Sequence, residues 1–415
     1  MAITRTALAH WAGLLPEHLA DIGDRLLIQD RLAFAAVCST WRAACNSVAP
    51  CLVLPSGNSS PATTSTLYSL TDGRVEAVRA PDPSQVILGS SGGWLAMADE
   101  LGVLRIANPV TGEQAKLPAI STLPIFLDTV APPWFTIDMR GDLARVRFAG
   151  APPIQEYHDA GWFISIPPEL MHVSFYRKVV LSSPRQRAAM LILNRRFGAP
   201  AFATAAEGAA EWRLAPSRDG VEDAIYHNRQ FYSVSYAGIV EAWDDVDRGE
   251  FTSRVVVNAA PIMDDGEHHL YSKYLVAAPD GRLIIVLRRR PDRIRSTTTP
   301  AQPTNCRTSV FKVHVLVDDD DELGTVHQSW KETTSIGDAV LFVGVNTPLC
   351  LPTREHPELK TGCIYFTDDD LWESWLHNED AADMGVYSLK DGTVQALGTT
   401  HQSWPQAAWF TPSLA

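Results

Sequence analysis

Apolar residues recur with two different periods along this 415-residue chain. Near the front, Leu15, Leu19, Ile22 and Leu26 are spaced four, three and four apart, which places them on one face of a helix. Pro16 suits the first turn of that helix. Asp30 is placed to cap a second helix that turns Phe34, Val37 and Cys38 inward, and Ser39 or Thr40 to cap a third that bears Trp41. Gly23 costs the first helix up to ~1 kcal/mol relative to Ala. Three helices in so short a stretch bury too little surface to be robust alone. Either the rest of the chain or a partner helix must cover their apolar faces.

The texture changes after LPSGNSSPATTST, residues 54–66, which reads as a linker. Short apolar runs now alternate with turn signals, the pattern of strands. DGRVEAV (72–78), AGIVEAW (237–243), DGRLIIVL (280–287) and DGTVQAL (391–397) share one layout, a turn glycine followed by an alternating strand. Such a glycine supplies the positive φ that tight hairpins require. A longer echo links residues 211–244 to the stretch from Ser329 to 392: a Trp, a turn into Asp-Ala, an aromatic strand, then a Gly-led strand. The predicted fold is mainly β, a propeller-like repeat of small antiparallel sheets, behind a small all-α head of three short helices. A pair of β-sandwiches is the competing arrangement.

Composition narrows the function. Hydrophobic residues are 46% and charged residues 20%, ordinary for a globular protein. The net charge is −13, yet residues 1–52 hold four arginines and four acids, so the whole imbalance lies in the body. An acidic body argues against a nucleic-acid partner. No run approaches the ~18 apolar residues of a membrane span, and MAITRTALAH lacks the apolar core of a secretory signal. We therefore expect no membrane partner and a cytoplasmic or nuclear, not secreted, protein. Cys38, Cys45, Cys51, Cys306, Cys350 and Cys363 form no C-x-x-C pair and no zinc spacing, and read as reduced thiols.

Nothing in the chain selects a catalytic, cofactor or metal site. VDDDDEL (317–323) has consecutive acids, where a calcium loop needs alternate ligands and a Gly turn; it reads as a solvated turn. TDDDLWESW (367–375) mixes acids with Trp372 and Trp375, which fit either a target-binding rim or anchors in the core. Trp94, Trp162, Trp212 and Trp330 stand near strand starts and read as core fillers. His268 and His269 are adjacent and would face opposite ways on a strand. GSSGGW (89–94) lacks the Lys of a phosphate loop and reads as a tight strand entry. RRRPDRIRSTTTPAQPTNC (288–306) reads as a long exposed loop inside a hairpin, and at best a weak nuclear signal.

Two resemblances add to this reading. Leu14-Leu15-Pro16-Glu17-His18-Leu19, then Ile22, Leu26-Leu27, Asp30, Phe34, Val37-Cys38 and Trp41-Arg42 resemble the F-box over about residues 11–50, with Trp11 suiting its plant form and His18 and Gly23 as departures. That implies docking to the Skp-family adaptor of a cullin-RING ubiquitin ligase, with Leu14, Leu15, Pro16, Leu19, Ile22, Val37 and Trp41 as contact or supporting residues. The ordered phrases from SSGGWLAMADELGVLRIANPVTGEQAKLP (90–118) through DAIYHNRQFYSVSYAGIVEAWD (223–244) and GCIYFTDDD (362–370) to WFTPS (409–413) resemble the plant domain catalogued as DUF295, the KIB-type β-propeller. The implied domains are an F-box at 11–50, a linker at 51–66 and a propeller at 67–413. The implied function is substrate recognition for the ligase, without chemistry of its own, on a protein target the sequence does not name. A binding module or decoy whose head no longer docks, and a glycan-active propeller enzyme, are the alternatives.

Overall fold

The computed structural model describes residues 14–45, 48–54, 64–70, 73–79, 85–99, 101–127, 135–139, 163–182, 188–204, 211–217, 219–247, 250–258, 271–290, 310–320, 326–376, 382–397 and 405–414. Trp11, Trp162, His268, His269 and Cys306 lie outside these residues.

The head forms helices α1 (Pro16–Gly23), α2 (Ile28–Ala36) and α3 (Ser39–Ala44). Pro16 opens α1, and Leu19 is fully buried. Phe34 stacks on Trp41 with ring centroids 4.1 Å apart. The caps differ from expectation. Leu27, not Asp30, precedes α2, and Asp30 sits in its first turn. Cys38 precedes α3, so neither Ser39 nor Thr40 caps it with a side chain. The Ile28 amide donates instead to both carboxylate oxygens of Glu76, at 2.9 and 3.1 Å. A cap supplied from elsewhere in the chain removes the need for a local one. Val37, expected inward, is 61% exposed. Gly23 closes α1, where a Cβ would sit 2.9 Å from Cys45 Sγ, so the glycine admits close helix contact.

Among the described residues the body is a ring of six blades. Blade 1 joins Ala408–Phe410, from the far end of the sequence, to Cys51–Leu54, Thr64–Tyr68 and Val75–Arg79. The 54–66 stretch is therefore flanked by two paired strands of one sheet, with Leu54 opposite Thr66. Blades 2, 3, 4 and 5 are four-stranded sheets within 86–116, 176–214, 223–257 and 271–333. Blade 6 (339–396) has five strands, including a parallel pair between Ala339–Val343 and Cys363–Phe366. A three-stranded accessory sheet, 126–166, comes between blades 2 and 3 in sequence.

One apolar cluster fills each junction between successive blades, including blade 6 with blade 1. That closes the ring. The accessory sheet adds Ile137 and Ile166 to the junction of blades 2 and 3. There the inner strands nearly touch, for a Cβ on Gly89 would lie 2.0 Å from the Val179 carbonyl oxygen. The expected turn glycines hold: Gly73, Gly238, Gly281 and Gly392 take φ of 66°, 85°, 88° and 68°, and in GSSGGW, read as a tight strand entry, Gly92 and Gly93 make a hairpin. The echoed phrases mark blade boundaries. Trp212 and Trp330, both buried, belong to the outer parts of blades 3 and 5, and the rest of each phrase builds the next blade.

Two polar runs differ from their sequence reading. Asp318 to Asp320 continue the strand Val310–Asp320 rather than forming a turn, and Asp318 pairs with Gln328. Arg288 and Arg289 end the strand Leu283–Arg289, and Arg288 is fully buried; 291–306 lie outside the described residues.

Candidate functional site

Two regions carry groups a partner could use. The first is the outer side of the head. Ile28 and Leu32 of α2 pack into the cluster at the junction of blades 1 and 2, and Gln29 Nε2 reaches the Pro109 carbonyl at 3.4 Å. The head thus uses one face on its own propeller. Leu15 (59%) and Leu27 (49%) are exposed, as are Pro16 and Val37. Leu14, Ile22 and Trp41 are half-buried, whereas Leu19 is internal and can only support its neighbours.

The second region is the ring's centre, where blades 3 to 6 place charged residues at the starts or ends of their strands. Lys178 Nζ pairs with Asp223, whose second oxygen accepts the Leu275 amide at 3.0 Å. Lys273 Nζ donates to Glu222 Oε2 at 3.1 Å. Arg288 donates to the Thr367 carbonyl at 2.7 Å and to Asp383 Oδ2 at 3.1 Å, and reaches Asp369 at 3.3 Å. Arg290 pairs with Asp368 and Asp369. Burial would raise the Asp369 carboxyl, but Arg290, Arg288 and Arg177 outweigh it and hold it well below the usual carboxylate range. Asp368 moves the other way: burial, with Asp383 beside it, pushes its carboxyl up against the pull of Arg290. Buried charges persist only when paired this way.

The TDDDLWESW phrase supplies part of this network. Its acids turn inward to arginines, and helix α5 (Leu371–Leu376) follows them; the short α4 (Met171–Ser174) packs beside it. The two tryptophans part company: Trp372 is 44% exposed, while Trp375 packs against the core between blades 2 and 3. A cleft of about 200 Å³ opens beside Trp372, between α5 and the strand ends that carry Arg177, Ser272 and Arg290. Among the described residues no three His, Cys, Asp or Glu side chains converge as a metal would require.

Sequence reading missed Arg177, Lys178, Lys273, Arg288 and Arg290. Their signal was a cation beside or inside an otherwise apolar strand, as in RKVVL, YSKYLVA and LIIVLRR, which burial makes costly unless a partner waits.

A ring of small sheets closed by strands from both ends of the sequence, with its apolar core divided among the junctions, is a β-propeller. Residues 67–388 match the family model described as the KIB1-4 beta-propeller, and the chain belongs to that family. A search of curated proteins finds no match. Among solved structures it is similar to the Cps50 (Swd1) β-propeller domain of Myceliophteria thermophila, at 10% identity over 76% of this chain and 87% of that one, TM-score 0.30. It is also similar to a putative 6-phosphogluconolactonase of Bacteroides uniformis, at 11% identity over 88% and 97%, TM-score 0.31. A third is the Pan2 WD40 domain of Neurospora crassa, at 13% over 59% and 64%, TM-score 0.23. At such scores these likenesses say nothing of what this chain binds. No helix among the described residues is long and apolar enough to cross a membrane.

Proposed function

We propose that this chain is the substrate-recognition subunit of a cullin-RING ubiquitin ligase. Its helical head, within 11–50, docks a Skp-family adaptor as an F-box, and the propeller holds a protein target. It works in the cytoplasm or nucleus and does no chemistry itself. Its contribution is proximity, which raises the effective concentration of target lysines near the ubiquitin-charged enzyme.

One observation carries the reading. The head bears the LP…I…D…VC…WR order, is fastened to the propeller through Ile28 and Leu32, and still leaves Leu15, Pro16 and Val37 exposed. Exposed apolar side chains on a helical head that is anchored to the propeller suit a partner helix. The test is capture of a purified Skp-family adaptor by the full chain. The wild type should bind, and Leu15→Ala with Pro16→Ala should weaken capture at least tenfold, as expected for anchors near an interface centre. A wild type that captures no adaptor, or a double variant that captures it equally well, overturns the proposal.

A further inference from the structure

The cleft beside Trp372 holds more hydrogen-bond donors than acceptors can satisfy. Its acids are largely spent. Asp369 accepts from Tyr274, Arg288 and Arg290. One Asp370 oxygen accepts the Glu373 amide at 3.1 Å. The donors are not spent. Arg177 gives Nε to the Glu222 carbonyl at 2.7 Å, but its Nη2 comes only within 3.9 Å of Glu222 Oε1, and Lys273 already holds that carboxylate. Arg290 commits Nη2 to Asp368 and Asp369, and its Nη1 has no hydrogen-bond partner among the described residues. The same is true of Asn194 Nδ2 and the Ser272 hydroxyl, which also line the cleft. Both guanidiniums remain partly open to solvent, with side chains 26% and 23% exposed.

Two guanidiniums with free N–H groups around one cavity match an oxyanion. The cavity, about 200 Å³, is smaller than the roughly 300–1,000 Å³ of sites that enclose a whole small molecule, so it fits one side chain. We propose that the cleft receives a carboxylate or phosphate carried on a side chain of a protein held by the propeller, with the exposed ring of Trp372 as the platform for the residue beside it. This deepens the proposed role in target recognition and rests on it. The formal charges around the cleft nearly cancel, so selectivity comes from unpaired donors at short range and not from the field of the whole molecule, whose net charge is −13.

The experiment titrates the full chain with acetyl-Leu-Glu-Leu-amide, acetyl-Leu-phosphoserine-Leu-amide, acetyl-Leu-Lys-Leu-amide and inorganic phosphate, followed by calorimetry. At least one acidic peptide should bind tenfold or more tightly than the lysine peptide. The Glu and phosphoserine arms tell carboxylate from phosphate. Arg177→Gln should weaken binding about tenfold. Ser272→Asp, which places a carboxylate of the chain's own among these donors, should abolish it while the far-UV circular dichroism stays that of the wild type. Preference for the lysine peptide, no acidic-peptide binding at millimolar concentration, binding of free phosphate alone, or undiminished binding by Ser272→Asp overturns the inference. Adaptor capture reads the other end of the molecule. A wild type that captures adaptor but ignores both acidic peptides loses this inference and keeps the ligase role; the reverse result does the opposite.

Discussion

At the scale of the residue, burial decides what each polar group does. His172 sits in α4 and is buried, which lowers its pKa from 6.5 to about 4. Its neutral form is the one the fold tolerates. The folded value lies below the unfolded one, so the associated stability is fully present above pH 6.5 and drains away as pH falls toward 4. The loss amounts to up to roughly 3 kcal/mol. Unfolding midpoints measured between pH 8 and pH 4 should fall more steeply for the wild type than for His172→Gln; parallel curves would show that His172 is not the acid-sensitive group. Arg288 illustrates the same rule with opposite chemistry. It is fully buried yet charged, because carbonyl and carboxylate oxygens surround its guanidinium.

At the scale of the element, helices and hairpins are finished by groups that are distant in sequence. The N-terminus of α2 has no local side-chain cap, and Glu76 of blade 1 takes its first amide. That contact both completes the helix and fixes the head on the propeller. Glu76→Ala should cost about 1 kcal/mol, the usual worth of an N-cap, and speed hydrogen exchange at the Ile28 amide; unchanged protection there would show that the head is held by Ile28 and Leu32 packing alone. The hairpin between Asp223–His227 and Gln230–Val234 is equally instructive. Asn228 and Arg229 both take positive φ, 46° and 66°, with no glycine at the turn. Gly-led phrases revealed several hairpins; this one lacked the signal.

At the scale of the whole molecule, stability depends on closing the ring. Trp409 lies in the strand that joins the two ends of the propeller, and meets Phe342 and Tyr365 of blade 6 edge-on at 5.1 and 6.1 Å. Its strand also pairs with Cys51–Leu54 of blade 1. Trp409→Ala should cost about 3–5 kcal/mol, as for other large buried aromatics, and make the strand at 408–410 an early site of proteolysis. A midpoint within a degree of the wild type would mean that the ring holds without this anchor. Packing of blades 3 to 6 on one another also brings Arg177 of blade 3, Lys273 of blade 5 and Asp369 of blade 6 around one space. What the sequence determined by itself is what short-range physics encodes: helical spacing in the head, alternation and turn glycines in the blades, the burial of Trp212 and Trp330, and the order of motifs. Only the tertiary structure decided which residues of the head the propeller covers, which of Trp372 and Trp375 reaches solvent, and that Asp368 and Asp369 of the TDDDLWESW phrase pair with Arg288 and Arg290 in one network. Pairing across sheets leaves no period in the sequence, since the partners lie on different blades and meet only when the blades pack.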